Sequence, residues 1–113
     1  MDEPGTFLSE ATGFEWDLGN SPKLRATHAV EPAECEQAFF IEPFLVTLDE
    51  HHSVIERRWH ALGRTTEGRR LFIVFTMRGQ LIRVIAARDM SRKERKYYDE
   101  IEATGEANSD IQE

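Results

Sequence analysis

The chain has 113 residues, of which 40% are hydrophobic and 31% are charged, and its formal net charge is −7. This length predicts one small domain with one core, and because no apolar run approaches the roughly 18 residues needed to cross a bilayer, a membrane-spanning protein is excluded. The single Cys excludes an internal disulfide framework and, together with an acidic N-terminus unlike a signal peptide, predicts a cytoplasmic protein without membrane contact.

The predicted elements begin after residues 1–13, which mix turn-forming and polar residues and are predicted to be a flexible N-terminal segment. Phe14 and Trp16 then alternate around a Glu, which predicts a short strand. Ser21 and Pro22 follow, and a Ser N-cap with Pro at the first helical position is typical of a helix start. The domain is therefore predicted to begin with a strand and a helix.

A second helix and four strands are predicted next. The stretch EPAECEQAFF predicts a helix that begins at Pro32 and turns Ala38, Phe39 and Phe40 towards the core. Short Gly-bearing turns then join strands into an antiparallel meander, and the four predicted strands are FLVTL, RRWHALG, RLFIVFTM and LIRVIAA. Because RLFIVFTM is apolar on both faces, we expect helices to cover one face, and a partner or the N-terminal segment to cover part of the other.

The predicted C-terminal helix starts at the sequence SRKE. Ser91 with Glu94 three residues later predicts a capping box, and a helical pattern continues through RKYYDEIEA. Residues 102–113 are predicted to be a flexible acidic tail, so the domain is predicted to span residues 14–101. This order of elements predicts an α+β fold, an antiparallel meander sheet with N-terminal helices and a C-terminal helix.

The charges are segregated along the chain. Residues 1–56 hold two bases and twelve acids, residues 57–98 hold twelve bases and three acids, and residues 99–113 hold six acids and no base. One interpretation is a basic surface that binds an anion, with RNA phosphate the commonest such ligand. The other is a basic face that the protein's own acidic segments neutralise, and the charge pattern alone does not separate the two.

Six stretches carry a family resemblance: FEWD at 14–17, HAV at 28–30, EPAECEQAFF at 31–40, EPFLVTLDEHHS at 42–53, ERRWHALGRTTEGRRLFIVFTMRG at 56–79 and IRVIAARDMSRKERKYY at 82–98. In this order and spacing, the region from Phe14 to Glu100 resembles the BrnT toxins, ribonucleases of type II toxin–antitoxin modules with a RelE-like fold. The resemblance implies a metal-independent endoribonuclease that needs no cofactor. It also implies an inhibiting BrnA-type antitoxin with a ribbon-helix-helix domain, through which alone the protein would contact DNA.

The chain departs from the family pattern in the first helix. Between Trp16 and His28 the family usually carries two Lys and an Asn, leading into Lys-His-Gly, and the corresponding residues here are Asn20, Leu24, Thr27 and Ala29. Two alternatives to a fully active enzyme therefore stay open. One is a weakened or inactive BrnT-like binding module that acts as an antitoxin partner or transcriptional co-regulator, and the other is an interaction protein that docks an unrelated helix on its apolar strand.

Metal-free RNA cleavage needs a base for the 2′-hydroxyl, a stabiliser for the charge on phosphorus, and an acid for the leaving oxygen. Arg suits the second task, because its planar fork of donors can hold two phosphoryl oxygens. Arg83 interrupts an apolar strand where burial alone would place an aliphatic residue, although an ion pair with Glu56 would also explain it. Arg88 ends the same strand at a helix start, where the backbone amides favour anions. Arg64 is a third candidate, or a solvated turn residue.

The other candidate groups transfer protons. His28 is favoured by the resemblance and His60 is a second candidate, because an imidazole titrates near neutral pH. Adjacent His51 and His52 would point in opposite directions without further ligands at zinc spacing, so we predict no metal site. Either Tyr of the last helix could pack in the core while the other contacts RNA. The predicted catalytic residues are therefore Arg83, Arg88, His28, Glu56, Arg64 and Tyr98.

Overall fold

The computed structural model describes residues 8–52 and 55–105. Within them the strands are β1 (Gly13–Phe14), β2 (Leu45–Leu48), β3 (Trp59–Arg64), β4 (Arg70–Arg78) and β5 (Leu81–Asp89), and the helices are α1 (Ser21–His28), α2 (Pro32–Ala38) and α3 (Arg92–Thr104). The strands form one sheet in the order β1-β5-β4-β3-β2, in which β2 to β5 are antiparallel neighbours and β1 runs parallel to β5. The α+β class and the antiparallel meander are therefore confirmed.

Beyond the end of β1, the side chain of Asn20 continues the hydrogen bonding to the edge of β5. The two residues of β1 pair only with Leu81 and Ile82, and Asn20 then donates its side-chain amide to the carbonyls of Val84 and Glu15, both at 3.0 Å. Its Oδ1 also accepts from the backbone N–H of Asp17. The predicted N-cap at Ser21 is wrong by one residue, because α1 begins at Ser21 and Asn20 precedes it without capping it by a side-chain hydrogen bond.

The end of α1 is held in an unusual backbone conformation. Ala29 is the C-cap, with φ 54° and ψ 41°, in the left-handed region that favours Gly. Its N–H donates to the carbonyls of Arg25 and Leu24, which closes the helix. The next residue, Val30, is fully buried, so this turn directs the chain back into the core.

The second helix begins at Pro32 as predicted and packs closely on the sheet. Ala38 is fully buried against Gly63 of β3, where an added Cβ would lie 3.1 Å from that of Ala38. Phe39 packs its ring 4.5 Å from that of Phe44, centroid to centroid. The prediction for Phe40 is wrong: the helix has already ended at Ala38, and the Phe40 side chain is 79% exposed.

The two faces of the sheet differ in their cover. Leu71, Ile73 and Phe75 of β4 are fully buried on the face that carries α2. Phe72 and Val74, which alternate with them, are only half-buried. Part of the second face is covered by α3, because its Tyr98 and Asp99 contact Arg70, which shares that face with Phe72. Helices therefore lie on both faces rather than on one as predicted, and a partner on the rest of the second face stays a prediction.

An extra residue in β5 changes which side chains share a face. Val74 pairs with Ala86 but Phe75 pairs with Val84, so Ile85 is left without a partner across the strand. Such a bulge shifts the alternation by one residue. Val84 and Ala87 are accordingly both buried although they are three positions apart.

The predicted capping box of α3 is confirmed, since Ser91 and Glu94 hydrogen-bond to each other's backbone N–H. Leu8 and Ala11 pack on the core, and α3 runs to Thr104, so ordered elements extend past the predicted range of 14–101. Of the two predicted flexible segments, residues 1–7 and 106–113 lie outside the described residues. In the part of the chain that is described, no helix combines the length and apolar character that crossing a membrane requires.

Candidate active site

Acidic partners neutralise most of the basic block of residues 57–98. Among the residues that the structure describes, at least eight of its twelve cations lie within 4 Å of a carboxylate oxygen: Arg64, Arg69, Arg70, Arg78, Arg83, Arg88, Arg95 and Lys96. Most of the partners come from the acidic N-terminal and C-terminal segments. Of the two interpretations of the charge pattern, the structure therefore favours a basic face neutralised from within the protein.

Arg83 ties β5 to the segment that follows β1. Its Nη1 donates to Glu15 at 3.1 Å and to Asp17 at 3.0 Å, and its Nη2 donates to Asp17 at 3.1 Å. The side chain is 13% exposed, and the hydrogen bond from Arg83 lowers the pKa of Asp17. The partners are not Glu56, as the sequence suggested, because Glu56 binds Arg78 at 2.8 Å. These contacts favour a structural role for Arg83.

Arg88 lies on the half-open face, as predicted at the start of the last helix. Its guanidinium carbon sits 4.1 Å from the centroid of the Phe72 ring, which is a cation–π contact. Its two terminal nitrogens donate to Glu94 at 2.9 and 3.1 Å, and this pairing lowers the pKa of Glu94. Because Glu94 also accepts from the Ser91 N–H, the anion site at the start of α3 is filled by the protein's own carboxylate.

His60 extends this arrangement across the sheet. Its ring lies 5.1 Å from that of Phe72, and its Nε2 lies 2.9 Å from Oδ2 of Asp49. Asp49 follows β2, and its side chain is 5% exposed. Asp49, His60, Phe72 and Arg88 thus form a continuous line from β2 to β5, here called the His60–Arg88 row.

A second imidazole contacts the same carboxylate. His52 Nδ1 lies 3.0 Å from Oδ2 of Asp49, and the His52 backbone N–H donates to Oδ1. Burial acts to raise the pKa of Asp49, but the hydrogen bonds from His52 and the charge of His60 outweigh it and leave the pKa below its usual value. Asp49 is therefore held as a carboxylate at neutral pH.

Two residues of the row were predicted as candidates from the sequence, and two were not. Arg88 and His60 were candidates, whereas Asp49 and Phe72 were not. A signal was available for Phe72, since it is an apolar residue on the face of β4 that a partner was expected to cover. For Asp49 the signal was weaker: only an Asp three residues before His52, a spacing that allows a local hydrogen bond.

His28 lies apart from the row, at the exposed end of α1. It borders a cleft of about 200 Å³, whose other walls include Lys23, Thr27 and Ala86. Leu24 and Ala87 also line this cleft, and both belong to the buried core, so the cleft lies between α1 and β5. The backbone carbonyl of His28 accepts from Arg69 at 3.3 Å.

Arg69 holds several elements together. It donates to Asp89, Glu34 and the carbonyls of His28 and Ala29, so it ties α1 and α2 to the sheet. The hydrogen bond that Arg69 donates to Asp89 is the largest contribution to raising the pKa of Arg69 above its usual value.

The last two predicted residues hold α3 on the sheet. Tyr98 is fully buried and its hydroxyl donates to the carbonyl of Pro43 at 2.6 Å, while burial raises its pKa to about 12. Arg64 Nε lies 2.8 Å from Oε2 of Glu102 in the same helix. Both side chains are paired with other groups of the protein, and these contacts favour structural roles for both.

The six predicted residues therefore do not converge on one point. Arg83 and Glu56 belong to an ion-pair network at one end of β4 and β5, and Arg88 lies at the other end of β5. Across residues 8–52 and 55–105, the structure brings together no three His, Cys, Asp or Glu side chains that could hold a metal ion.

Comparison with known protein families gives a match that covers most of the sheet. A family model described as "Ribonuclease toxin, BrnT, of type II toxin-antitoxin system" matches residues 16–94, well over half of the chain. The match begins just after β1 and ends in the first turn of α3, so it includes every residue of the His60–Arg88 row. A search of curated proteins finds no match.

Proposed function

Because the chain belongs to the BrnT family of ribonuclease toxins of type II toxin–antitoxin systems, we propose that it is a metal-independent endoribonuclease. Its proposed inhibitor is an antitoxin of the BrnA type, with a ribbon-helix-helix domain that would provide the only contact with DNA. The proposed location is the cytoplasm, where RNA is the substrate. A RelE-like arrangement of the fold, expected from the resemblance, belongs to the same proposal.

The His60–Arg88 row is the observation that carries the proposal. It places an imidazole and a guanidinium on either side of one aromatic ring, on the partly open face of the sheet. The guanidinium can bind a phosphoryl oxygen, and the imidazole can move a proton at neutral pH. Phe72 adds a flat apolar surface between them, against which a nucleobase can stack.

Cleavage by these groups follows the usual metal-free route. The 2′-oxygen loses its proton and bonds to phosphorus, the bond from phosphorus to the 5′-oxygen breaks, and the leaving oxygen takes a proton. The products are a 2′,3′-cyclic phosphate and a free 5′-hydroxyl. Arg88 stabilises the added negative charge in the transition state. To do so, it must give up at least one of its two hydrogen bonds to Glu94.

The other predicted residues enter the proposal differently. His28, beside the cleft between α1 and β5, is proposed to supply the proton for the leaving oxygen. Arg83, Glu56, Arg64 and Tyr98 stay predictions as catalytic groups. Their carboxylate and carbonyl partners support roles in holding the site's framework.

The test is RNA cleavage by the purified protein in EDTA. We expect fragments whose new 3′ ends carry a 2′,3′-cyclic phosphate, identified by mass spectrometry. The Arg88→Ala variant, purified in parallel, controls for contaminating ribonucleases and should be about 10²-fold slower. Activity that appears only when Mg²⁺ or Mn²⁺ is added back would contradict the proposal.

A second candidate function is a BrnT-like binding module that acts as an antitoxin partner or co-regulator without cleaving RNA. Two observations favour it: the pairing of most Arg side chains with carboxylates, and the absence of Lys at positions 20 and 27. This candidate predicts a stable complex with the antitoxin and no cleavage in the EDTA assay. Because both candidates bind the antitoxin, RNA cleavage in EDTA is the measurement that separates them.

A further inference from the structure

We infer that Asp49 is a positioning residue that fixes the tautomer of His60, so that Nδ1 of His60 acts as the general base on the 2′-hydroxyl of RNA. The inference rests on the proposed ribonuclease function and deepens it. Nothing in the chain's charge pattern or family match assigns this role to Asp49.

An ionised carboxylate has no hydrogen to donate, so each imidazole nitrogen that hydrogen-bonds to it must carry the hydrogen. Oδ2 of Asp49 lies 2.9 Å from Nε2 of His60 and 3.0 Å from Nδ1 of His52. Neutral His60 therefore has its hydrogen on Nε2 and its basic lone pair on Nδ1. Neutral His52 has the opposite tautomer, with the lone pair on Nε2.

The two imidazoles differ in what else holds them. The His60 side chain is 37% exposed and packs against Phe72, whose ring also contacts Arg88. His52 is 66% exposed on the loop after β2. His60 is thus the imidazole that is both oriented by a carboxylate and close to a cation that can hold phosphate.

Asp49 itself is well anchored for this role. Its backbone N–H donates to the carbonyl of Arg58 at 2.9 Å, which continues the pairing of β2 with β3 by one residue. Its side chain is almost fully buried, so solvent screens its interaction with His60 only weakly. A buried acid that orients an imidazole and stabilises the imidazolium is a recurrent arrangement in acid–base catalysis.

In the proposed step, Nδ1 of His60 takes the 2′-hydroxyl proton while the 2′-oxygen bonds to phosphorus and the bond from phosphorus to the 5′-oxygen breaks. Asp49 stabilises the imidazolium that results. The leaving oxygen takes a proton from His28, its proposed donor, or from water. His60 then returns its proton to solvent. Asp49 makes no contact with RNA in this scheme.

Asp49→Asn tests the inference, because an Asn amide can donate to Nε2 of His60 and move the imidazole hydrogen to Nδ1. We expect kcat to fall by roughly 10²-fold or more, the contribution of a general base, while KM changes by less than about 3-fold. Nitrogen-15 NMR of His60 should show hydrogen on Nε2 in the wild type and on Nδ1 in the variant. The matched control His52→Gln, on the same carboxylate oxygen, should keep kcat within about 3-fold.

A second variant keeps the test decisive if Asp49→Asn folds poorly. His60→Ala should lose activity by a similar factor, and added imidazole should restore part of it. A kcat close to the wild-type value in folded Asp49→Asn or in His60→Ala overturns the inference, whatever the tautomer. A wild-type protein that cuts no RNA overturns the proposed function and this role together, whereas an active wild type with unaffected variants overturns this role alone.

Discussion

Arg83 and Arg88 lie on the same face of β5, although they are five positions apart, an odd offset. Arg83 pairs with Thr76 and Arg88 with Phe72, and these partners are four residues apart on β4. A regular strand would place the two Arg on opposite faces. Ile85 between them has no partner in β4, and this extra residue brings both Arg side chains to the same face. That face therefore carries a cation at each end of β5.

The two Arg residues should nevertheless respond differently to replacement by Ala. Arg88→Ala removes the cation of the His60–Arg88 row, so cleavage should fall by about 10²-fold, which is more than the loss of the pair with Glu94 would cause through stability alone. Arg83→Ala leaves Glu15 and Asp17 without their partner, so it should lower the free energy of unfolding by about 1 kcal/mol. Single-turnover cleavage and urea unfolding of both variants give the comparison. A large loss of cleavage in folded Arg83→Ala, with unchanged stability, would place the site at the other end of β5.

Thr27→Lys should strengthen RNA binding, because Thr27 is exposed and borders the cleft beside His28. One added phosphate contact should steepen the fall of log affinity with log salt by about 0.7. Ala26→Lys, at the neighbouring exposed position of α1, is the charge-matched control. Equal effects of both variants would mean that the added charge acts without a defined contact.

The same experiment should not use Asn20→Lys, although the family usually carries Lys there. Asn20 is buried, and its side chain makes hydrogen bonds to Val84, Glu15 and Asp17. Leu24 is buried as well, so a polar Asn at that position would also be costly. Thr27 is therefore the departure from the family that can be reversed without damage to the core.

Ala29→Gly should stabilise the protein. Ala29 has φ 54°, where an L side chain costs roughly 1–2 kcal/mol, and Gly removes that cost while adding some entropy to the unfolded chain. We expect a net gain of about 0.5–1 kcal/mol in the free energy of unfolding. Urea denaturation measures it, and Ala33→Gly in α2, where φ is helical, should instead destabilise. A loss of stability in Ala29→Gly would contradict the strain argument.

Stability should fall at acid pH. Five carboxyl groups have pKa values below the ordinary 3.8 of Asp or 4.5 of Glu, mostly because of Arg partners: Asp17, Asp49, Glu56, Asp89 and Glu94. A depressed folded pKa contributes stability that is fully present above the unfolded pKa and is lost as pH falls through the folded pKa. The free energy of unfolding should therefore be nearly constant from pH 7 to about 5 and decrease below about 4.5.

The measurement is urea unfolding over a pH series. In Arg83→Ala the decrease should be smaller, because the pKa of Asp17 is lowered chiefly by the hydrogen bond from Arg83. Stability that stayed constant down to pH 3 would show that these ion pairs contribute little.

Local patterns in the sequence predicted the elements well. Period-two alternation located β3, β4 and β5, Pro32 located the start of α2, and Ser91 with Glu94 located the start of α3. Each of these signals depends on residues close together in the chain.

The site was less predictable because its contacts join distant segments. Nothing near Arg83 in the sequence indicates that Glu15 and Asp17 will reach it, and nothing near His60 points to Asp49 across β2 and β3. The bulge at Ile85 also has no Gly or other local marker, so the relative facing of Arg83 and Arg88 required the strand register. Pairings of this kind are set by the whole sheet rather than by any window of residues.

The parallel pairing of β1 with β5 bears on the order of folding. Strands β2 to β5 join neighbours along the chain, whereas Gly13 pairs with Leu81 across a long loop whose closure costs more entropy. Pairings between segments close in sequence generally form first. We therefore expect the meander, with His60, Phe72 and Arg88 on it, to form in the folding transition state, and β1 with α1 to dock afterwards. Kinetic φ-values near zero for Phe14→Leu and well above it for Phe75→Leu would agree, and the reverse order would contradict it.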